Sequence, residues 1–237
     1  MEQKVHTSRQ YEKELREIKE NLMYLGVLVE KAIGEAVRSL LERDTEAARS
    51  VVDGDEAVDR LDEEIEEKCI RLLAIRQPAA RDLRFITAAI KINAHLERIG
   101  DMAVTIARKA AALNEEPQLK PYIDLPRMAD TARGMIRKSL DALMRENIAA
   151  AREVRLEDEV VDSLNEQIFR ELLTFIIEDP RTTHRALLII QISKSLERIS
   201  DHATSIAKAV IYMITGENVR HTRADESVPG AMPEDER

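Results

Sequence analysis

The chain has 237 residues, a formal net charge of −9, 34% charged and 44% apolar residues, and only 3% aromatic residues. With 7 Gly, 7 Pro and no Trp it lacks the turn residues and large β-formers of a strand-rich fold. The acidic balance opposes nucleic-acid binding, which needs a basic footprint to displace counterions.

A single cysteine, Cys69, leaves no intrachain disulfide framework and fits a reducing compartment. No apolar stretch approaches the roughly 20 residues that span a bilayer. The start, Met1-Glu2-Gln3-Lys4, is too polar for a signal peptide. A soluble, cytoplasmic, all-α protein is expected, reaching a membrane only through its partners.

Six helices are predicted in chain order. The first covers Ser8 to Glu42, with Leu15, Ile18, Leu22, Leu25, Val29 and Ile33 along one side. Asp44 is placed to cap a second helix that ends near Arg76, before the breaker Pro78. The third runs from Ala80 to Leu113, followed by the polar Asn114-Glu115-Glu116-Pro117. The fourth covers Leu125 to Arg145, the fifth Ile148 to Ile177, and the sixth Thr182 to Thr215, with Asp179-Pro180 between the last two. Beyond His221 the chain is polar and interrupted by Pro229 and Pro233, and disorder is expected there.

These segments form a duplication. Leu96-Glu97-Arg98-Ile99-Gly100-Asp101 recurs as Leu196-Glu197-Arg198-Ile199-Ser200-Asp201 at an offset of 100, and Asp55-x-x-x-Asp59 recurs as Asp158-x-x-x-Asp162 at an offset of 103. The Pro78 and Pro180 turns absorb the three-residue difference. The expected architecture is a tandem repeat of two antiparallel three-helix bundles, over residues 8–113 and 122–215. Residues 114–121 would link them, and residues 216–237 would form a partly disordered tail. Helices of about 30 residues are roughly 45 Å long, so the molecule is expected to be elongated.

Register gathers the repeated acids. In an antiparallel hairpin, residues equidistant from the turn share a height. The midpoint of the Asp55–Asp59 and Glu97–Asp101 pairs falls on Pro78, and that of their counterparts falls on Asp179-Pro180. Glu97 and Asp101 also lie on a shoulder of the apolar arc of their helix, with Lys91, Arg98 and Lys109 on the opposite side. Four carboxylates therefore meet in each half: Asp55, Asp59, Glu97 and Asp101, then Asp158, Asp162, Glu197 and Asp201. Such a group costs several kcal/mol unless paired, protonated or metal-bound. All-oxygen ligation suits Mg²⁺, Mn²⁺, Ca²⁺ or oxidised iron better than zinc or copper. The alternative is a metal-free lattice of ion pairs through Arg98 and Arg198. In the first half Asp62 and Glu66 continue the acidic row, whereas their counterparts are Asn165 and Phe169.

Other chemistry is not encoded in a recognisable pattern. No histidine follows a glutamate by three residues, as di-iron bundles require. No phosphate-binding glycine loop or nucleophile elbow is present. His95 and His202, whose counterparts are Ser195 and Met102, read as ordinary surface or edge residues, and Cys69 as a packed thiol.

The chain resembles the phosphate-specific transport system accessory protein PhoU family from about Tyr11 to His221. The residues that carry this are Arg76-Gln77-Pro78 with Asp82-Leu83-Arg84, both Leu-Glu-Arg-Ile-(Gly/Ser)-Asp motifs, and Tyr212…Gly216-Glu217-Asn218-Val219-Arg220-His221. The resemblance implies tandem bundles whose eight acidic positions hold metal clusters of iron, manganese, magnesium or zinc. It implies a negative regulator of phosphate uptake and of the phosphate-starvation response, not an enzyme. It also implies a link between a phosphate ABC transporter and a sensor histidine kinase. A homodimer is expected from spare apolar surface. Rival readings are a carboxylate-ligated metal-storage protein or metal-dependent enzyme, and a metal-free helical scaffold.

Overall fold

The computed structural model describes residues 2–78 and 80–217, with side chains from Arg9 onward. The expected tail lies outside the described residues beyond Glu217, as does the end of the Gly216–His221 motif. Among the described residues the fold comprises six helices: α1 (Glu2–Leu41), α2 (Thr45–Arg76), α3 (Ala80–Asn114), α4 (Asp124–Arg145), α5 (Ile148–Glu178) and α6 (Thr183–Thr215). A single 3-10 turn, Pro180–Thr182, precedes α6, and no strand occurs among the described residues. No described helix is long and apolar enough to cross a membrane.

The duplication is visible in the local chemistry that starts the helices. Asp44 caps α2 by accepting from the Ala47 amide at 2.9 Å, and its repeat counterpart Asn147 caps α5 by accepting from Ala150 at 3.1 Å. The residue before each cap, Arg43 (φ 56°) or Glu146 (φ 52°), takes the left-handed conformation that reverses the chain. Pro180 opens the 3-10 turn, with the Asp179 carboxylate accepting from the Arg181 amide at 3.1 Å.

Helices α1–α3 form one bundle and α4–α6 the other. The first-helix row expected from the sequence is the core of its bundle: Ile18, Leu22, Leu25, Val29 and Ile33 are fully buried. The most extensive helix contact, however, is α3 against α6, and α1 also packs on α4, so the core continues from one bundle into the other. Arg84 Nε donates to the Met213 carbonyl at 3.1 Å, and eleven residues further along α3 His95 meets His202, eleven back along α6. The two helices are thus antiparallel. The repeat counterparts of this histidine pair, Met102 and Ser195, fall seven residues further in the same register. The centre of the crossing therefore lies beside Arg98–Ile99 and Arg198–Ile199, which puts both Glu-x-x-x-Asp motifs at one level of the molecule.

The connection between bundles is tied down at both ends. Arg43 donates to the carbonyls of Asn114 and Glu116, each at 2.6 Å, and Arg185 donates to that of Pro117 at 2.9 Å. Between α1 and α4, Glu30 is buried against Arg137 at 2.5 Å.

At Gly26 α1 packs tightly on α4, because a Cβ there would lie 2.1 Å from Leu140 Cδ1. Leu140 is buried, so its side chain must shift to admit a Cβ there. Gly26→Val is expected to destabilise the protein by about 1–3 kcal/mol, the usual range for overpacking. Adding Leu140→Ala should recover part of that loss, so chemical denaturation of the double-mutant cycle should be non-additive. Additive effects would show that α1 and α4 do not meet there.

Candidate metal centres

Each centre is built from one turn of α2 or α5 facing one turn of α3 or α6. The α3 and α6 motifs are held in place by fully buried neighbours, Leu96 and Ile99 in one and Leu196 and Ile199 in the other. Each such side chain contributes about 1.5–3 kcal/mol by burial, which offsets the cost of carrying acids on the same turn. The burial gradient is the same in both halves. Asp55 and Glu97 are half-buried while Asp59 and Asp101 are exposed; Asp158 and Glu197 are half-buried while Asp162 and Asp201 are exposed.

The small residue inside each motif sets the approach of the facing helix. A Cβ on Gly100 would lie 3.0 Å from Val58 Cγ1 and 3.4 Å from Asp55 Oδ1. In the second centre Ser200 occupies this position, donating to the Glu197 carbonyl at 2.6 Å and lying within hydrogen-bonding reach of Asp158.

Electrostatic coupling shows which acids face one another. Burial raises Asp55 above the ordinary carboxylate range, and the negative charges of Asp59 and Asp101 raise it further. Glu97 is raised by burial and by Asp101, with Arg98 opposing. In the second centre burial pushes Asp158 up to about 6, with Asp162 and Asp201 adding to it. Asp162 is raised by burial, Glu197 and Asp201, and Asp201 by burial and Glu197. All eight acids picked from the sequence thus fall into two mutually repelling groups of four.

Cationic side chains compensate only in part. Arg98 reaches Glu97 and Asp101, each at 3.3 Å, and Lys194 reaches Glu197 at 2.6 Å. Two buried oxygens, Asp158 Oδ1 and Glu197 Oε2, have no hydrogen-bond partner. As placed, the acids are not closed around a point: among the described residues no three His, Cys, Asp or Glu side chains are gathered tightly enough to hold an ion. The donor set itself, all oxygen and with two oxygens orphaned in the interior, fits a hard cation.

Three features escape a linear reading. His95 and His202 are not surface or edge residues; they are half-buried, with Nδ1 atoms 3.0 Å apart across the α3–α6 interface. Burial and the nearby Arg98 and Arg198 guanidiniums lower the His202 pKa, which favours a neutral imidazole. Asn93, fully inside, donates to both the carbonyl and the Oδ1 of Asp62, at 2.9 and 2.6 Å. At the equivalent place Ser193 bonds Asn165 Oδ1 at 2.9 Å. These pairs join residues on different helices, and the one available signal was their shared repeat offset. Cys69 is a buried free thiol, raised to about 12 by burial.

Tandem three-helix bundles with a duplicated Asp/Glu centre define a class of helical repeat protein. The family model of the PhoU domain matches the chain twice, over residues 22–110 and 125–210, and the chain belongs to the PhoU family. It is 42% identical over 217 residues to a phosphate-specific transport system accessory protein PhoU homologue of Pseudomonas putida, covering 91% of this chain and 85% of that protein. The crystal structure of PhoU from Pseudomonas aeruginosa superposes with a TM-score of 0.84 at 39% identity, covering 87% of this chain and all of the other. The phosphate transport system regulatory protein PhoU from Streptococcus pneumoniae gives 0.82 at 27% identity, covering 88% and 99%.

The raised carboxylates have a defined consequence for stability. A folded-state pKa of about 6 for Asp158 exceeds its unfolded value, so the native state takes up the proton more readily. The resulting stabilisation is complete below about pH 4 and is lost as pH rises through about 6. Chelator-stripped protein is therefore expected to melt at a lower temperature at pH 8 than at pH 5.5. Asp158→Asn should raise the melting temperature at pH 8 and flatten the pH dependence. An unchanged slope in thermal unfolding followed by circular dichroism would show that Asp158 is not strained by its neighbours.

Proposed function

We propose that this protein is an accessory regulator of a phosphate transport system and that its two acidic centres hold hard metal ions. In this reading it restrains phosphate uptake and the phosphate-starvation response. It acts in the cytoplasm, between a phosphate ABC transporter and a sensor histidine kinase. The relatives' role in phosphate transport supports the system it serves. The observation that carries the metal part is the occurrence of two equivalent groups of four mutually repelling carboxylates, two half-buried and two exposed in each, one group with orphaned oxygens.

Asp55, Asp59, Glu97 and Asp101 would hold the first ion or cluster, and Asp158, Asp162, Glu197 and Asp201 the second. A bound cation would neutralise the repelling oxygens and offer open positions to an acidic or phosphate oxygen of a partner. The chain itself supplies rigid helical faces at fixed spacing. Signalling follows if those faces bind one state of the transporter or kinase more tightly than the other. Self-association belongs to the same reading, and Phe169, Leu173 and Ile177 (80% exposed) on α5 offer apolar surface for it.

The ion pairs of Arg98 and Lys194 favour a second reading, a scaffold that works without metal. Elemental analysis of protein purified without chelators separates the two. Changing Asp55, Asp59, Glu97 and Asp101 to Ala is expected to remove the first centre's metal while helix content is retained. Changing all eight acids should abolish both metal binding and phosphate-dependent repression of a starvation-responsive reporter. Metal content and repression both unaltered in the eightfold variant would refute the metal-dependent regulator.

A further inference from the structure

A cleft of about 630 Å³ opens between α1 and α4, and none of the eight repeated acids lines it. The two helices meet there antiparallel, turn against turn: Gly26 against Leu140, Glu30 against Arg137 and Gly34 against Arg133. Met23, Val27 and Leu140 make one end of the cleft apolar, and Lys31 and Arg133 make the other end basic. Leu140 and Arg133 are two helical turns apart, roughly 10 Å along α4.

The repeat is broken at this place. At the offset of 103 that relates Asp44 to Asn147, Arg133 and Arg137 fall on Glu30 and Gly34. The two guanidiniums therefore have no like counterpart in the first half. Gly34 gives the Arg133 side chain its room, because a Cβ there would lie 3.3 Å from Arg133 Cζ and crowd the guanidinium.

Charge is unevenly matched along the cleft. Glu30 is taken by Arg137, which also feels Asp141, and Glu35 is taken by Arg38. Among the described residues Arg133 reaches one acid, the exposed Asp130, by a single contact of 3.4 Å, and its Nε is buried with no hydrogen-bond partner. Lys31, exposed on the same wall, pairs with no acid among the described residues. In a chain of net charge −9, an unspent guanidinium donor beside an unpaired ammonium is a local excess of positive charge. Two such cations match a doubly charged oxyanion: the planar fork suits phosphate oxygens, and the lysine supplies the second charge.

We propose that the basic end of this cleft binds a phosphate group, held by Arg133 and Lys31, with Gly34 leaving the guanidinium space to turn toward it. The apolar end lies where the organic part of a phosphate monoester would rest, so the group arrives either as free phosphate or as a small ester. The site uses no metal and stands whether or not the acidic centres are filled.

The test uses the full chain stripped by chelator, so that no metal offers the anion a second place to bind. Inorganic phosphate and phenyl phosphate are titrated separately by calorimetry at fixed ionic strength and about pH 8, where both are mostly dianions. Saturable binding is expected, weakened about tenfold or more by Arg133→Ala through loss of charge-assisted hydrogen bonds. Arg133→Lys, which keeps the charge without the fork, should recover only part of the affinity. Tighter binding of phenyl phosphate identifies an ester as the ligand, and equal or weaker binding identifies free phosphate. Circular dichroism confirms that each variant is folded, and Lys31→Ala, at an exposed position, decides the matter if Arg133→Ala is not. No saturable binding of either probe, or affinities unchanged in the folded variants, overturns the site while leaving the metal reading untouched.

Discussion

The antiparallel packing of α3 against α6 is the constraint from which the rest of the molecule follows. Each of these helices is buried on two sides, one inside its own bundle and one across the interface between bundles. That leaves a narrow edge of each for polar groups, beneath α2 or α5. Glu97 and Glu197 sit half-buried on that edge, with Asp101 and Asp201 at its exposed rim, on the same turns as the core residues Leu96, Ile99, Leu196 and Ile199. The acids are strained because the hydrophobic packing of their neighbours holds them.

Duplication multiplies this arrangement and relates its copies by an approximate two-fold at the α3–α6 crossing. Both acidic centres then lie at one level, on different sides of the central helices. The copies have diverged in how they manage the same repulsion. The second centre recruits Lys194 and a Ser200 hydroxyl, whereas the first brings in Arg98, keeps Gly100 for close approach and extends its negative charge toward Asp62. Exposed ion pairs of this kind contribute little, at most about 1 kcal/mol each, so neither solution fully relieves the gathered charge.

The histidine pair shows the other consequence of the crossing. His95 and His202 have no like counterpart in the repeat, yet the α3–α6 register brings them into hydrogen-bond contact. With Arg98 and Arg198 nearby, one neutral imidazole donating to the other is the arrangement that avoids placing a further cation there. The two halves are therefore joined by apolar packing and by a polar contact that the repeat does not duplicate.

Much of the fold was legible in order along the chain. The 3.6-residue spacing of Ile18, Leu22, Leu25, Val29 and Ile33, the Asp44 cap and the Pro78 and Pro180 turns are local signals, and they define the helices to within a few residues, except at the N-terminal end of α1. The grouping of the eight acids was also legible, because a hairpin converts distance from a turn into height, a rule that needs no tertiary information. The sequence by itself thus determined an all-α duplication and two sets of four facing carboxylates. Only the tertiary structure decided that the bundles share a core through α3 and α6, that His95 meets His202, and that Asn93 turns to Asp62 with an oxygen to spare. Those contacts depend on the rotation and register of helices far apart in the chain. Many registers satisfy the same apolar pattern, and the packing of whole faces selects one.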